Sequence, residues 1–216
     1  DSVASDDQYQ MNRGFCHRLL RCSVTIWQFK NLEELKAKYN EVIGVLERSY
    51  DGEKNTPDLQ RLKGMIREFE EELVWAYNGV QVDHVHHLHL GFYQDKGITK
   101  GVNMERDVTP ILNQFREIQP DIISVTLDPE GSGPDTHYKV LQATAAAVAE
   151  WSKEKDLSKL RIYGYRNVWF KFHPAEANLY VPVSLNALAV LDKSFAASYL
   201  SQVKAEFPNP LHNGPF

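Results

Sequence analysis

The sequence predicts an α/β fold with a mostly parallel sheet, and three observations carry that expectation. The run Ile122-Ile123-Ser124-Val125-Thr126-Leu127 is apolar, rich in β-branched residues and the right length for a buried parallel strand. Pro120 stops the helix before it, Asp128-Pro129-Glu130-Gly131-Ser132-Gly133-Pro134 follows it with loop chemistry, and a long Ala-rich helix begins at His137. Residues 160–169, LRIYGYRNVW, then read as another strand running into a loop. Strand, polar loop and helix in that order is how α/β proteins place ligands at the carboxyl ends of their strands. Here that edge carries Asp128, Glu130, Asp135 and His137. Asp135 or Thr136 could simply cap the helix, but capping needs one such residue and leaves His137 unexplained.

Taken in order, residues 1–14 are polar and read as irregular, and Ser23–Phe29 reads as a strand. Cys16, His17 and Cys22 match no zinc spacing and read as buried thiols. Asn31, with Glu34 in capping-box register, opens a helix to about Ser49 that buries Leu32, Leu35, Tyr39, Val42, Ile43 and Leu46. Thr56-Pro57 opens a second, closed by Asn78-Gly79, with Glu68, Glu70, Glu71 and Glu72 on its solvated face. Together these form a helical pair over residues 30–79, predicted to be an insertion rather than a separate domain.

Residues 80–90, VQVDHVHHLHL, hold four histidines. The spacing of His84, His86 and His89 is similar to the ligand spacing of metallo-β-lactamase-like hydrolases, and a metal centre there is one alternative. Leu88 stands where those proteins have Asp, and strand alternation would turn His89 away from the other two. Residues 103–118 read as a helix with Pro110 in its first turns, Asn178–Val183 as an extended piece, and Ser184 to about Glu206 as the last helix.

A chain of 216 residues, 43% apolar and 25% charged, has ample material for one sizeable domain or a domain with an appendage. The net charge of −5 and the absence of a Lys/Arg cluster argue against a nucleic-acid surface. No apolar run approaches the roughly 18 residues of a membrane span, and no signal-peptide pattern is present. Two cysteines fit a reducing compartment, so the expectation is a cytoplasmic protein without membrane association.

Three segments, LDPEGSGPDTHYKV, VHHLHLGFYQ and YGYRNVWFKFHPAEANLYVPVS, together resemble the LmbE-like (PIG-L) deacetylase family. The last two are most similar to the branch found in glucosamine-6-phosphate deaminase-like fusion proteins. The resemblance covers roughly residues 58–216. It implies a three-layer αβα Rossmann-like sandwich, with the helical pair inserted, and zinc held by two His and one Asp. The implied reaction removes an acetyl group from an N-acetylglucosamine-type sugar. His137 maps onto a zinc ligand and Asp135 onto the neighbouring carboxylate, in a catalytic or orienting role. Tyr165 and Arg166 are candidates for holding an oxyanion or a sugar phosphate, and ordinary loop packing is their other reading. Asp128, Glu130, Arg166 and His173 are the candidate substrate contacts.

The family's His-Pro-Asp-Asp signature is absent, since His173-Pro174-Ala175-Glu176 lies far C-terminal and lacks both aspartates. The expectation is therefore a single domain over 1–216 without its first β-α-β unit, fused to or associated with a deaminase-like domain, with an oligomer as an option. A non-catalytic sugar-binding or regulatory domain with an incomplete metal site is the other alternative.

Overall fold

The computed structural model describes residues 5, 7–50, 53–93, 101–128, 135–166 and 172–202. It divides into two compact units, one comprising Asp1–His86 with Pro182–Phe216 and the other His87–Val181. The described residues form a mixed α/β protein, mostly helical, with a small parallel sheet of two strands.

The first unit is built from helices α1 (Gln8–Trp27), α2 (Leu32–Arg48), α3 (Pro57–Tyr77) and α6 (Leu185–Ser198). The predicted caps are present. Asn31 accepts from the Glu34 amide at 2.9 Å while Glu34 reaches back to the Lys30 amide at 3.0 Å, and Thr56 caps α3 ahead of Pro57.

Helix α1 differs from expectation at both ends. Asp7 caps it by accepting from the Gln10 amide, so the polar start is ordered from there on. The segment read as a strand from Ser23 is its last turn. Ser23 and Thr25 satisfy their hydroxyls on the carbonyls four residues back, Leu19 and Arg21. Cys22, Leu59 and Leu62 form a small core with Leu19, Ile26 and Val42 packed against it. That gain outweighs the β propensity of Val24-Thr25-Ile26. Cys22 is buried as expected, whereas Cys16 is exposed.

Two more readings change in this unit. Leu32, Ile43 and Leu46 of α2 are exposed, because of the α2 stripe only Val42 is packed against this core. Glu70, read as solvated, is fully buried and accepts from the Ser201 amide at 2.8 Å and hydroxyl at 2.6 Å. The acidic run faces the end of α6, where Tyr199 also donates to Glu71.

The second unit carries β1 (Ile122–Thr126) and β2 (Arg161–Tyr165), paired in parallel with Ile122 opposite Arg161 and Thr126 opposite Tyr165. Helix α5 (Asp135–Trp151) connects them, and α4 (Thr109–Ile118) precedes β1 after a π-helical turn at Met104–Val108. Ile123 and Val125 point inward, and the core gathers Ile123, Phe92, Val108, Phe115, Ala143 and Trp151. Burying a side chain such as Phe92 or Val108 stabilises by about 1.5–3 kcal/mol. Ala143 and Ala147 are the small residues that let α5 lie close to this core.

β1 was expected to be buried on both faces, yet Ile122 is 54% exposed. Among the described residues the sheet has two strands and a helix-covered face on one side, so two of the three expected layers are present.

Candidate functional site

The carboxyl edge of the sheet carries Asp128 and His137. Beyond β1 the ladder continues for one more residue, the Leu127 amide donating to the Tyr165 carbonyl at 2.7 Å. This delivers Asp128 to a buried position with 1% exposure. His137, in the first turn of α5, places Nδ1 3.0 Å from Asp128 Oδ2. In the neutral imidazole this bond puts the proton on Nδ1 and the lone pair on Nε2. The other carboxylate oxygen, Asp128 Oδ1, is buried with no hydrogen-bond partner among the described residues. A buried acceptor without a protein partner is uncommon, and it leaves a position for a water, an ion or a ligand group to fill.

Asp135 was expected to orient His137. Its carboxylate lies 2.5 Å from Lys139 Nζ on the exposed side of α5, and the buried carboxylate at His137 Nδ1 is Asp128. The reason is geometric, since side chains two apart on a helix point in different directions whereas a strand end can face the first turn of the next helix. Glu130 lies outside the described residues.

Tyr165 and Arg166 line a cleft of about 560 Å³ at the end of β2, on the open side of the sheet. Ser124, Tyr163, Phe172, Glu176 and Asn178 line it with them, over an apolar floor that includes Leu127 and Ile162. Gly164 is required here, because a Cβ would stand 2.7 Å from Leu127 Cδ2 and 2.9 Å from its Cβ. The Arg166 guanidinium lies over the Phe172 ring at 4.3 Å and 3.8 Å from Glu176 Oε2. Asp128, His137 and His173 are not among the lining residues.

His173 instead builds the turn beside the cleft. Its amide donates to Glu176 Oε2 at 3.0 Å, its carbonyl accepts from the Glu176 amide at 2.8 Å, and its Nδ1 accepts from the Ala175 amide. His173 was the residue expected to contact substrate from this segment, whereas Phe172, Glu176 and Asn178 are the ones that line the cleft. The turn itself had a readable signal, since His-Pro-x-Glu sets a carboxylate three residues after the first amide.

The His84-rich segment forms no strand. It folds as a short 3₁₀ turn, Val82–His84, followed by coil in which His89 is left-handed at φ 48°. Among the described residues no group of three or more His, Cys, Asp and Glu side chains is placed to hold a metal ion. Tested against the zinc centre that the family resemblance implies, the fit is partial. A His that hands one ring nitrogen to a buried carboxylate is how metal-ligating imidazoles are held, but one such residue is not the three a catalytic zinc takes. No described helix is long and apolar enough to cross a membrane.

The chain is similar to a glucosamine-6-phosphate deaminase-like protein of Bacteroides thetaiotaomicron, 35% identical over 163 residues. The match takes in 72% of this chain and 24% of that relative, so the chain spans about a quarter of the relative's length. No family model and no solved structure matches the chain.

Proposed function

We propose that this chain is an LmbE-like module of a zinc-dependent amidohydrolase that removes an acetyl group from an N-acetylglucosamine-type sugar. The observation that carries it is the pairing of buried Asp128 with half-buried His137 at the carboxyl edge of a parallel sheet. The relative's name supports an amino-sugar role. The three-layer sandwich, with further strands beyond the two described, belongs to the same proposal.

In this reading Asp128 holds the His137 ring in the Nδ1–H tautomer and raises the basicity of Nε2, the nitrogen offered as a ligand. A zinc ion, when bound, supplies Lewis-acid polarisation of the acyl carbonyl. Tyr165 and Arg166 hold the sugar in the cleft, with Asn178 and Glu176 as further polar contacts. Asp135, whose exposed carboxylate meets Lys139, keeps a catalytic role in this reading as the carboxylate neighbouring His137 in sequence. The remaining ligands come from a segment bearing the His-Pro-Asp-Asp loop.

Zinc titration followed by an acetate-release assay tests this. The chain alone should bind zinc weakly, and His137→Ala should remove that binding. Supplying the His-Pro-Asp-Asp segment in cis or in trans should yield tight binding and turnover. Stoichiometric zinc in the 216-residue chain alone, indifferent to His137→Ala, would place the site elsewhere. The absence, among the described residues, of a group of three or more metal-ligating side chains favours one second reading, a sugar-binding domain without catalysis, which sugar binding with no acetate release in the restored protein would select.

A further inference from the structure

We infer that the cleft at the end of β2 takes an uncharged sugar and disfavours a phosphorylated one. The inference deepens the reading above and rests on the cleft being the sugar-binding part of the site.

An arginine in a cleft invites an anion, and a lone guanidinium over an aromatic ring would suit a phosphate ester. Arg166 is not alone. Glu176 is the other charged group among the described lining residues, and its Oε2 stands 3.8 Å from Arg166 Nη1. The carboxylate is there by construction. Its own amide is bonded to the His173 carbonyl, and the same Oε2 accepts from the His173 amide, so the turn holds Glu176 toward the arginine. Phe172 beneath the guanidinium fixes the partner, whose side chain is 13% exposed.

The described lining residues thus sum to no net charge, with a donor fork and an acceptor pair side by side. A phosphate reaching for Arg166 would come within a few ångströms of a carboxylate and lose much of its attraction. A pair of sugar hydroxyls, each both donor and acceptor, matches the pair without that penalty, and Tyr163, Tyr165 and Asn178 add neutral partners.

The test is ligand titration of the full chain by calorimetry or ligand-observed NMR, with N-acetylglucosamine and its 6-phosphate at low salt. The neutral sugar should bind at least about fivefold more tightly. Glu176→Gln, which keeps an acceptor for the His173 amide, should strengthen phosphate-sugar binding by about fivefold and erase the preference. An unchanged thermal transition would show that the turn survives. Tighter binding of the phosphate sugar by the unaltered chain would overturn the inference while leaving the sugar-binding reading intact. A preference that Glu176→Gln leaves untouched would overturn it as well. Failure of both sugars to bind would overturn the inference and the cleft reading together. A neutral-sugar preference without acetate release from the restored protein would keep the inference and fail only the amidohydrolase.

Discussion

Two buried aspartates in the same unit show how differently a carboxylate can be treated. Asp107 is 0% exposed and its oxygens are fully occupied. They accept from the amides of Gly91 and Asn103, both at 2.9 Å, and from Arg106 Nε at 2.8 Å and Nη2 at 2.6 Å. Burial pushes this carboxyl up, yet the Arg106 side chain and the two amides outweigh it and hold it below its ordinary value. Asp128 is 1% exposed, and among the described residues its one hydrogen-bond partner is His137, with its second oxygen unbonded. Asp107 ties the residues around Gly91 to the π-helical turn before α4 and is a structural clasp. Asp128 lacks that web of partners, and in the proposed reading its role is to hold His137.

The sharpest way to break this comparison is to neutralise both. Asp107→Ala would leave two amides and a guanidinium without their acceptor and should cost about 3 kcal/mol in urea unfolding. Asp128→Asn should change stability by less than about 1 kcal/mol. It should instead weaken metal binding by the completed site about 10–100-fold. If Asp128→Asn unfolded the protein as readily as Asp107→Ala, the functional assignment of the pair would fail.

A smaller effect should come from Gly91→Ala. A Cβ there would meet Arg106 Nε at 2.0 Å, so the guanidinium must leave its seat over Asp107. The expected loss is about 1–3 kcal/mol, as for other overpacked sites, again read by urea unfolding. Measured on an Asp107→Ala background, the same substitution should cost much less, since the seat is already lost. Full additivity would argue against the clasp.

The mildest readout is acid. Because the folded Asp107 carboxyl titrates below the 3.8 of an ordinary aspartate, its contribution is fully present above that value. It is lost as pH falls through the lower folded value. Asp107→Asn should therefore flatten the acid limb of the stability profile, and an unchanged limb would mean that other carboxylates control it.

Much of the local structure could be read from residues alone. The Asn31–Glu34 box, the Thr56-Pro57 start, the β1 run and the helix after it depend on partners within a few positions, and they stand as predicted. The strand-loop-helix order that brings Asp128 and His137 to one edge was also legible. What the sequence could not rank was burial across elements. Val24-Thr25-Ile26 became helix because Cys22 and Ile26 pack with α3, and Glu70 was drawn inside by Ser201, 131 positions away. At the site, both Asp135 and Asp128 were visible as carboxylates near His137. Only the fold decided that Asp128, nine residues back on a strand end, would meet its imidazole. Likewise only the turn at His173–Glu176 set a carboxylate 3.8 Å from Arg166. Caps and periodicity are local and encoded residue by residue, whereas pairing of distant polar groups is settled by which elements the core brings together.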